Sequence, residues 1–403
     1  MKKIIVIGGG AAGMIVAGFA AKNNNSVTLI EKNPTLGKKL LITGKGRCNV
    51  TNDSDIENHI ANCVTNGKFL FNVFHKFFVQ ETIDFFENSD VKLKTERGNR
   101  IFPQSDKAAD IVQALEIFLR KNGVEVIQKQ VISIDKIQNK FHIKTLNNTI
   151  ECDKIILATG GKSYPGTGST GDGYRFAQKF GHKIIVPRAA LVPLDIKEDF
   201  PKLLQGLALK NISIKILNQN NKIVFEDFGE LLFTHFGVSG PLILSVGSLV
   251  KNIMNHTLII DLKPALSKEV LDKRMIKDLE SNSKKTIKKL LKLYLPNKMI
   301  LIFLNLFKID ENKKCNSISK IERMSLIHLM KNISLTIINK RQLREAIITS
   351  GGVDVKEINP RTMESKIIKG LYFAGEIIDV DSLTGGYNLQ IAWSTGFVAG
   401  NSC

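Results

Sequence analysis

Apolar and polar positions follow three regimes along the chain. The first opens with KIIVI at residues 3–7, a β-branched run that stops at glycines. Behind it, AAGMIVAGFAAKN spaces small and apolar residues at the helical period, and SVTLIEKN is a second apolar run ending in an acid. This pattern predicts strand, helix and strand within roughly thirty residues. Residues 69–87, FLFNVFHKFFVQETIDFFE, repeat phenylalanine at helical spacing, which predicts a buried helix face rather than an aromatic binding surface. RIFPQSDKAADIVQALEIFLRKNGVEVI reads as loop, helix, glycine stop and strand. Residues 130–157 read as a strand meander that ends in KIILATGG.

The second regime starts near residue 188, where VPLDI, LALKNISIKIL and KIVFEDFGELLFTH show strand-like alternation. In the third, from 265 to 345, the helical period returns, and SKKTIKKLLKLYL is its clearest amphipathic piece. From 347 onward strands and glycines come back, and no internal repeat or low-complexity linker interrupts the chain. The layout predicts an α/β fold in which residues 1–188 and 347–403 form one domain. That domain is interrupted by an inserted β-rich domain, 189–264, and a basic helical domain, 265–346.

A chain of 403 residues buries a sizeable core and divides into two or three domains. Its five cysteines, Cys48, Cys63, Cys152, Cys315 and Cys403, are scattered, with no C-x-x-C among them. That usage argues against a disulfide framework, a thiolate metal site and a dithiol redox centre, and it fits a reducing cytoplasm. MKKIIVIGGGAAGMIVAGFAA imitates a signal peptide, but glycines at 8, 9, 10 and 13 interrupt the apolar helix that such a peptide uses. No run is long and apolar enough to span a bilayer, so no stable membrane insertion is expected. The net charge of +19 suits a polyanionic partner through its long-range field. The abundance of Asn, Ile and Lys also fits a simple bias toward AT-rich codons.

GGGAAG satisfies G-x-G-x-x-G with Gly8, Gly10 and Gly13, and Glu31 follows at the end of the next strand. Strand before, helix after and acid beyond are the context that a dinucleotide fingerprint requires. Gly8 makes the tight turn, Gly10 admits a pyrophosphate, and Gly13 lets the helix pack on the strand. The helix N-terminus offers N–H donors to phosphate, and Glu31 is placed to accept from ribose hydroxyls. The cofactor is then NAD or FAD. The late segment GLYFAGEIIDVDSLTGGYNLQIAWSTGFVAG places strand, Gly375-Glu376, loop and a small-residue helix in order. In two-dinucleotide flavoproteins such a segment closes on FAD, the acid binding the ribityl chain and the helix N-terminus facing the flavin. With ILATGG at 156–161 as its companion, the pattern favours FAD. A second match, GTGSTG at Gly166, Gly168 and Gly171, lacks a directly preceding strand. It reads as a loop entering a helix, not as an NAD site.

Four blocks carry a wider resemblance: GKKLLITGKGRCNVTN, ATGGKSYPGTGSTGDGY, LLFTHFGVSGP and the run from TSGGVDVKEINPRTMESK to LTGGYNLQIAWSTG. Through them the chain resembles the BaiN/YhiN-like FAD-dependent oxidoreductases over essentially its full length, most weakly across 265–345. The resemblance implies a Rossmann-like FAD-binding domain interrupted by the two inserts. It implies cofactor contacts from Gly8, Gly10, Ala11, Ala12, Gly13, Glu31 and Lys32, and from Lys38, Lys39, Gly44, Gly46, Arg47, Cys48 and Asn49 in the loop that follows. Val131, Thr159, Gly160, Gly375, Glu376, Asp379, Gly386, Asn388 and Leu389 complete the implied set. Members of the family are labelled aminoacetone oxidase-like, bile-acid alkene reductases and ribosomal RNA dihydrouridine synthases. They share flavin hydride chemistry but not a substrate, so the fold leaves the substrate open.

Residues 43–52, TGKGRCNVTN, then admit two readings: a solvated turn, or a loop along the FAD that meets an anion through Arg47 and presents the Cys48 thiol as a proton donor; Cys48 reads equally as a small residue packed within the loop. A thiol with an ordinary pKa of about 8.5 is protonated at neutral pH and able to donate. FTHFGVSGP supplies the rival donor, His235, with Ser239 as a candidate helix cap; Tyr387 and Asn388 are further alternatives. Residues 265–345 hold 19 Lys+Arg against 8 Asp+Glu, an excess that suits RNA phosphates, an anionic membrane surface or only water. The leading expectation is reduction of a uridine C5–C6 bond in 23S ribosomal RNA, with Cys48, His235 and Arg47 catalytic and NADH or NADPH as transient electron donor. The alternatives are a reductase or oxidase of a small alkene or amine, and a flavin-stabilised RNA-binding protein without turnover.

Overall fold

Strand β1, Lys3–Ile7, buries every residue after its first, and β2, Ser26–Glu31, does the same. The computed structural model, which describes residues 1–403, shows why. Both lie inside a parallel five-stranded sheet in the order Leu371–Phe373, Lys154–Leu157, β1, β2, Glu125–Gln128. A strand with neighbours on both edges and cover on both faces is apolar throughout rather than alternating. Helix α1, Ala11–Lys22, connects β1 to β2. The meander of Val131–Ile137, Lys140–Thr145 and Thr149–Cys152 is antiparallel and leads into Lys154–Leu157.

The chain divides into two compact units, one formed by Met1–Ala190 with Gln342–Cys403, the other by Leu191–Arg341. In the first, α1 packs against the closing helix Tyr387–Ser402. The contact is backbone to backbone: a Cβ on Gly396 would sit 2.9 Å from the Ala12 carbonyl oxygen, and one on Gly400 2.7 Å from that of Val16. Around this pair the phenylalanines gather. Phe77 stacks on Phe397 at 4.6 Å, Phe85 meets Phe118 edge-on at 5.0 Å, and Phe86 meets Trp393 at 5.4 Å. The phenylalanine-rich stretch serves the core, but as short pieces rather than one helix: Phe71–Phe74 and Val79–Glu87 are separated by a break.

In the second unit, six antiparallel strands close a barrel. They are Leu194–Ile196, Gly237–Ser239, Ile223–Phe233, Ala208–Leu217, Thr257–Asp261 and Ile333–Lys340. The last lies inside the stretch read above as helical. That reading holds through Lys320–Lys331, capped by Ser319 and Glu322, and then gives way. In Ile333–Lys340 the residues Ile333, Leu335 and Ile337 are buried in alternation, the signature of a strand with one face in a core. Pairing with Thr257–Asp261 on one side and Leu194–Ile196 on the other, it completes the barrel. Segments 189–264 and 265–346 thereby share one apolar core, which runs from Leu194 through Leu271, Phe303 and Leu326 to Ile337. Ser239 lies on a strand; the cap of Pro241–Leu249 is Gly240, whose φ of +94° favours glycine.

Gly396→Val is expected to push the closing helix off α1 and to cost about 1–3 kcal/mol, as overpacking does. Urea unfolding followed by tryptophan fluorescence measures it, because Trp393 is buried in the same helix.

Candidate cofactor-binding site

The carboxyl ends of β1, β2 and Lys154–Leu157 lie along one edge of the parallel sheet, where ligands bind in folds of this kind. At the β1–α1 turn, Gly8 has φ +106°, and a Cβ there would lie 2.5 Å from the Ala158 carbonyl oxygen. A Cβ on Gly13 would lie 1.8 Å from the Gly8 carbonyl oxygen, so helix and turn touch directly. Gly10, the cap of α1, differs: a Cβ there meets nothing within 4 Å. The first turn of α1, with half-buried Ala11 and buried Ala12, carries no acid and no side-chain cap. Its N–H groups and positive dipole end remain available to a phosphate. Glu31 is buried and accepts from Gly9 N at 2.7 Å, Asn33 N at 2.8 Å and Asn33 Nδ2 at 2.7 Å. Lys32 is paired with Asp172 at 2.8 Å and donates to Thr170.

The TGKGRCNVTN loop is neither a plain solvated turn nor an open display of its thiol. Gly44, Lys45, Gly46 and Cys48 all adopt positive φ, between +55° and +85°, a conformation costly for the two that carry Cβ. The Arg47 guanidinium lies over the Phe102 ring at 4.2 Å. It donates to Asp106 Oδ1 at 2.8 Å and to Glu96 Oε2 at 3.2 Å, and with Lys94 it holds both carboxyls below the usual range. Arg47 is thus committed to two acids and an aromatic face. The Cys48 thiol is fully buried, and burial pushes it up to about 12, with Thr43 offsetting part of the effect. Placed there, it serves the packing of the loop rather than presenting a proton to its surroundings. Lys38 is exposed. Lys39 turns inward to Glu376 at 2.6 Å and Ser163 at 2.7 Å.

The closing segment meets both of these pieces. Gly375, at φ +75°, approaches Ala12, and Glu376 also accepts from Thr349 N at 2.7 Å and Ser163 Oγ at 3.0 Å. Gly386, at φ +104°, caps the closing helix; a Cβ there would lie 2.3 Å from the Thr51 carbonyl oxygen. Trp393 Nε1 donates to the Val50 carbonyl at 2.9 Å, and Thr51 Oγ1 donates to Gln390 Oε1 at 2.6 Å. Asn388 accepts from Ser382 N and donates to the Ser382 carbonyl, closing the preceding turn, while Leu389 beside it is half-buried. The Rossmann turn, the thiol-bearing loop and the TGGYNLQ segment therefore converge. Thr159 and Gly160 (φ +69°) follow the neighbouring strand Lys154–Leu157, and Val131 is buried at the head of the meander. His235 belongs to the other unit, where it is exposed on the turn between Ile223–Phe233 and Gly237–Ser239.

Seven buried polar atoms in the first unit have no hydrogen-bond partner: Asn49 Oδ1, His59 Nδ1, Thr159 Oγ1, Tyr174 OH, Asp379 Oδ1 and both carboxyl oxygens of Asp381. Buried polar groups are rarely left so. Thr159 lies against Gly173, next to Tyr174, and Tyr174 feels the charges of Glu376 and Asp379. Burial, then Asp381, raises the Asp379 carboxyl; burial also raises Asp381. Open space at Gly10, free amides on α1 and these orphaned groups suit FAD, with its phosphates and polyol chain. Tyr174, Asp381, Ser163 and Asn66, which donates to Asp379 Oδ2 at 3.0 Å, are missed by sequence reasoning. Tyr174 stands in the quoted GTGSTGDGY block, but nothing local marks Asn66. The second glycine match ends at Gly171, the cap of Asp172–Lys179, and Asp172 fills the first turn of that helix.

Fold and site together define a Rossmann-type FAD-binding oxidoreductase. The chain belongs to the HI0933-like Rossmann family, whose model matches residues 2–402. It is 32% identical over 411 residues to the 3-dehydro-bile acid delta(4,6)-reductase of Clostridium scindens, covering 100% of this chain and 99% of that one. It is 31% identical over 398 residues to the ribosomal RNA dihydrouridine synthase of Haemophilus influenzae, covering 98% and 96%. Among solved structures, the 3-ketosteroid-delta4-(5alpha)-dehydrogenase of Rhodococcus jostii shares the fold, with a TM-score of 0.55 at 14% identity over 100% of this chain and 96% of that one. No helix is long and apolar enough to cross a membrane.

The Cys48 thiol gives a signed pH dependence. An unfolded thiol ionises near its ordinary value of about 8.5, whereas the folded one holds its proton up to about 12. Its contribution is whole below about pH 8.5 and is lost as pH rises toward about 12. Relative to Cys48→Ala, the wild type should lose about 1.4 kcal/mol of stability per pH unit in that window. Urea midpoints of both proteins across the alkaline range test it.

Proposed function

We propose that this protein is an FAD-dependent reductase of the uridine C5–C6 double bond in 23S ribosomal RNA, with NADH or NADPH restoring the cofactor. The observation that carries this reading is the uneven charge: 19 Lys+Arg against 8 Asp+Glu within residues 265–345. A small apolar substrate has no use for that field, while RNA phosphates respond to it directly. The relative named as a ribosomal RNA dihydrouridine synthase supports the same substrate.

When bound and reduced by NADH or NADPH, FAD would supply the hydride for reduction of a C=C bond. The chain supplies the rest. The α1 N-terminus holds phosphates, Glu31 accepts from ribose hydroxyls, and Glu376, fixed by Lys39, Ser163 and Thr349, orients the polyol chain. The uridine leaves its stack to reach the site. The second carbon then needs a proton. With Cys48 buried and Arg47 committed to Glu96 and Asp106, the exposed imidazole of His235 is the proposed donor, set on the turn that Gly237 shapes. The cytoplasm, where ribosomal RNA is modified, is the proposed location.

A second reading, reduction of a small alkene, is favoured by the bile-acid reductase relative at 32% identity. Mass spectrometry of ribosomal RNA from a strain lacking the gene separates the two: dihydrouridine disappears under the first and persists under the second. In the purified protein, His235→Ala is expected to slow turnover by about 10²–10⁴-fold at unchanged flavin content, the usual scale for a lost general acid. Cys48→Ala should stay within a few-fold of wild type. The opposite ranking returns the proton to the thiol.

A further inference from the structure

Resting on the RNA reading above, we infer that two lysine-rich turns of the second unit, residues 283–292 and 311–316, form one platform for an RNA phosphate backbone. Together they carry seven lysines and a single glutamate. The main chain lays them side by side. Thr286 and Lys314 form an antiparallel bridge. Ile287 N donates to the Lys313 carbonyl at 2.9 Å, Cys315 N to the Lys285 carbonyl at 2.9 Å, and Asn316 N to the Ser283 carbonyl at 3.3 Å.

Two of the seven lysines are neutralised, Lys288 by Glu311 at 2.5 Å and Lys313 by Glu322 at 2.7 Å. The other five, Lys284, Lys285, Lys289, Lys292 and Lys314, are exposed and make no ion pair. Elsewhere in the same unit cations do find acids, as Arg323 does with Asp272 at 2.7 Å and Lys331 with Asp261 at 2.6 Å. Five like charges on adjoining turns repel one another, and a polyanion relieves that repulsion while releasing its counterions.

A bilayer surface is the competing acceptor of such charge, and the packing argues against it. A helix lying on a membrane needs an apolar face to insert. In SKKTIKKLLKLYL that face is turned into the protein core: Ile287 and Leu291 are 0% exposed, Leu290 2% and Tyr294 4%. Apart from Leu293, which is 58% exposed, what remains outward is chiefly charge, mounted on packed turns.

The test uses full-length, FAD-loaded protein and the variant K284Q/K285Q/K289Q/K292Q/K314Q, with total ribosomal RNA from a strain lacking the gene as probe. Affinity is measured across a series of KCl concentrations. Removing five phosphate contacts should flatten the log–log salt slope by about 3.5–4.5 and weaken binding at least ~10-fold at low salt. Flavin spectrum and melting temperature should match wild type. As comparison, K268Q/K273Q/K277Q on the helix Lys268–Ser281 should keep the wild-type slope to within about 1. If wild type binds RNA and the quintuple variant binds with the same slope, the platform is wrong and the RNA reading stands. If wild type shows no salt-sensitive binding, both fall. Loss of binding to phosphatidylserine vesicles, with RNA binding intact, overturns the platform in favour of a membrane surface.

Discussion

The contact between the closing helix and α1 is the constraint on which the first unit depends. Gly396 and Gly400 bring one backbone against the carbonyls of Ala12 and Val16. Only at that spacing does Gly386 reach Thr51, Trp393 reach Val50 and Gly375 reach Ala12. Interiors pack too densely to absorb a side chain at such places. Three stretches far apart in the chain are therefore held against one another by the absence of Cβ atoms.

Charge is used differently in the two units. In the first unit it is paired: Lys39 with Glu376, Lys32 with Asp172, Arg47 with Glu96 and Asp106. Such pairs fix the orientation of side chains that a cofactor must find in place, and preorganised polar groups need not rearrange when it binds. Orphaned hydroxyl and carboxyl oxygens beside them, on Thr159, Tyr174 and Asp379, complete a surface that suits a polar ligand. In the second unit many lysines instead face water without partners. A field of that kind acts at range, guiding a large polyanion before any specific contact forms.

The strained loop that bears Cys48 connects these themes. Left-handed backbone at Lys45 and Cys48 is tolerated because the loop is pinned on every side, with Arg47 held by its carboxylates and Val50 and Thr51 held by the closing helix. Strain of this kind persists only where the surroundings over-determine it. The same pinning that shapes the loop removes its thiol from solvent.

Local signals determined the parts that are themselves local. The strand, glycine turn and helix at residues 3–22, the acid at Glu31 and the small-residue helix after Gly386 follow from spacing and glycine chemistry, since each depends on a neighbour only a few residues away. The phenylalanine-rich stretch was legible as core for the same reason. What tertiary structure decided is where partners come from. No spacing reveals that Arg47 meets Glu96 and Asp106, that Asn66 reaches Asp379, or that Cys48 is sealed from water. Nor does it show that Ile333–Lys340 leaves the helical period to close a barrel with a strand begun at Leu194. Propensity is a short-range quantity, whereas burial and pairing are set by residues that meet only once the chain has folded.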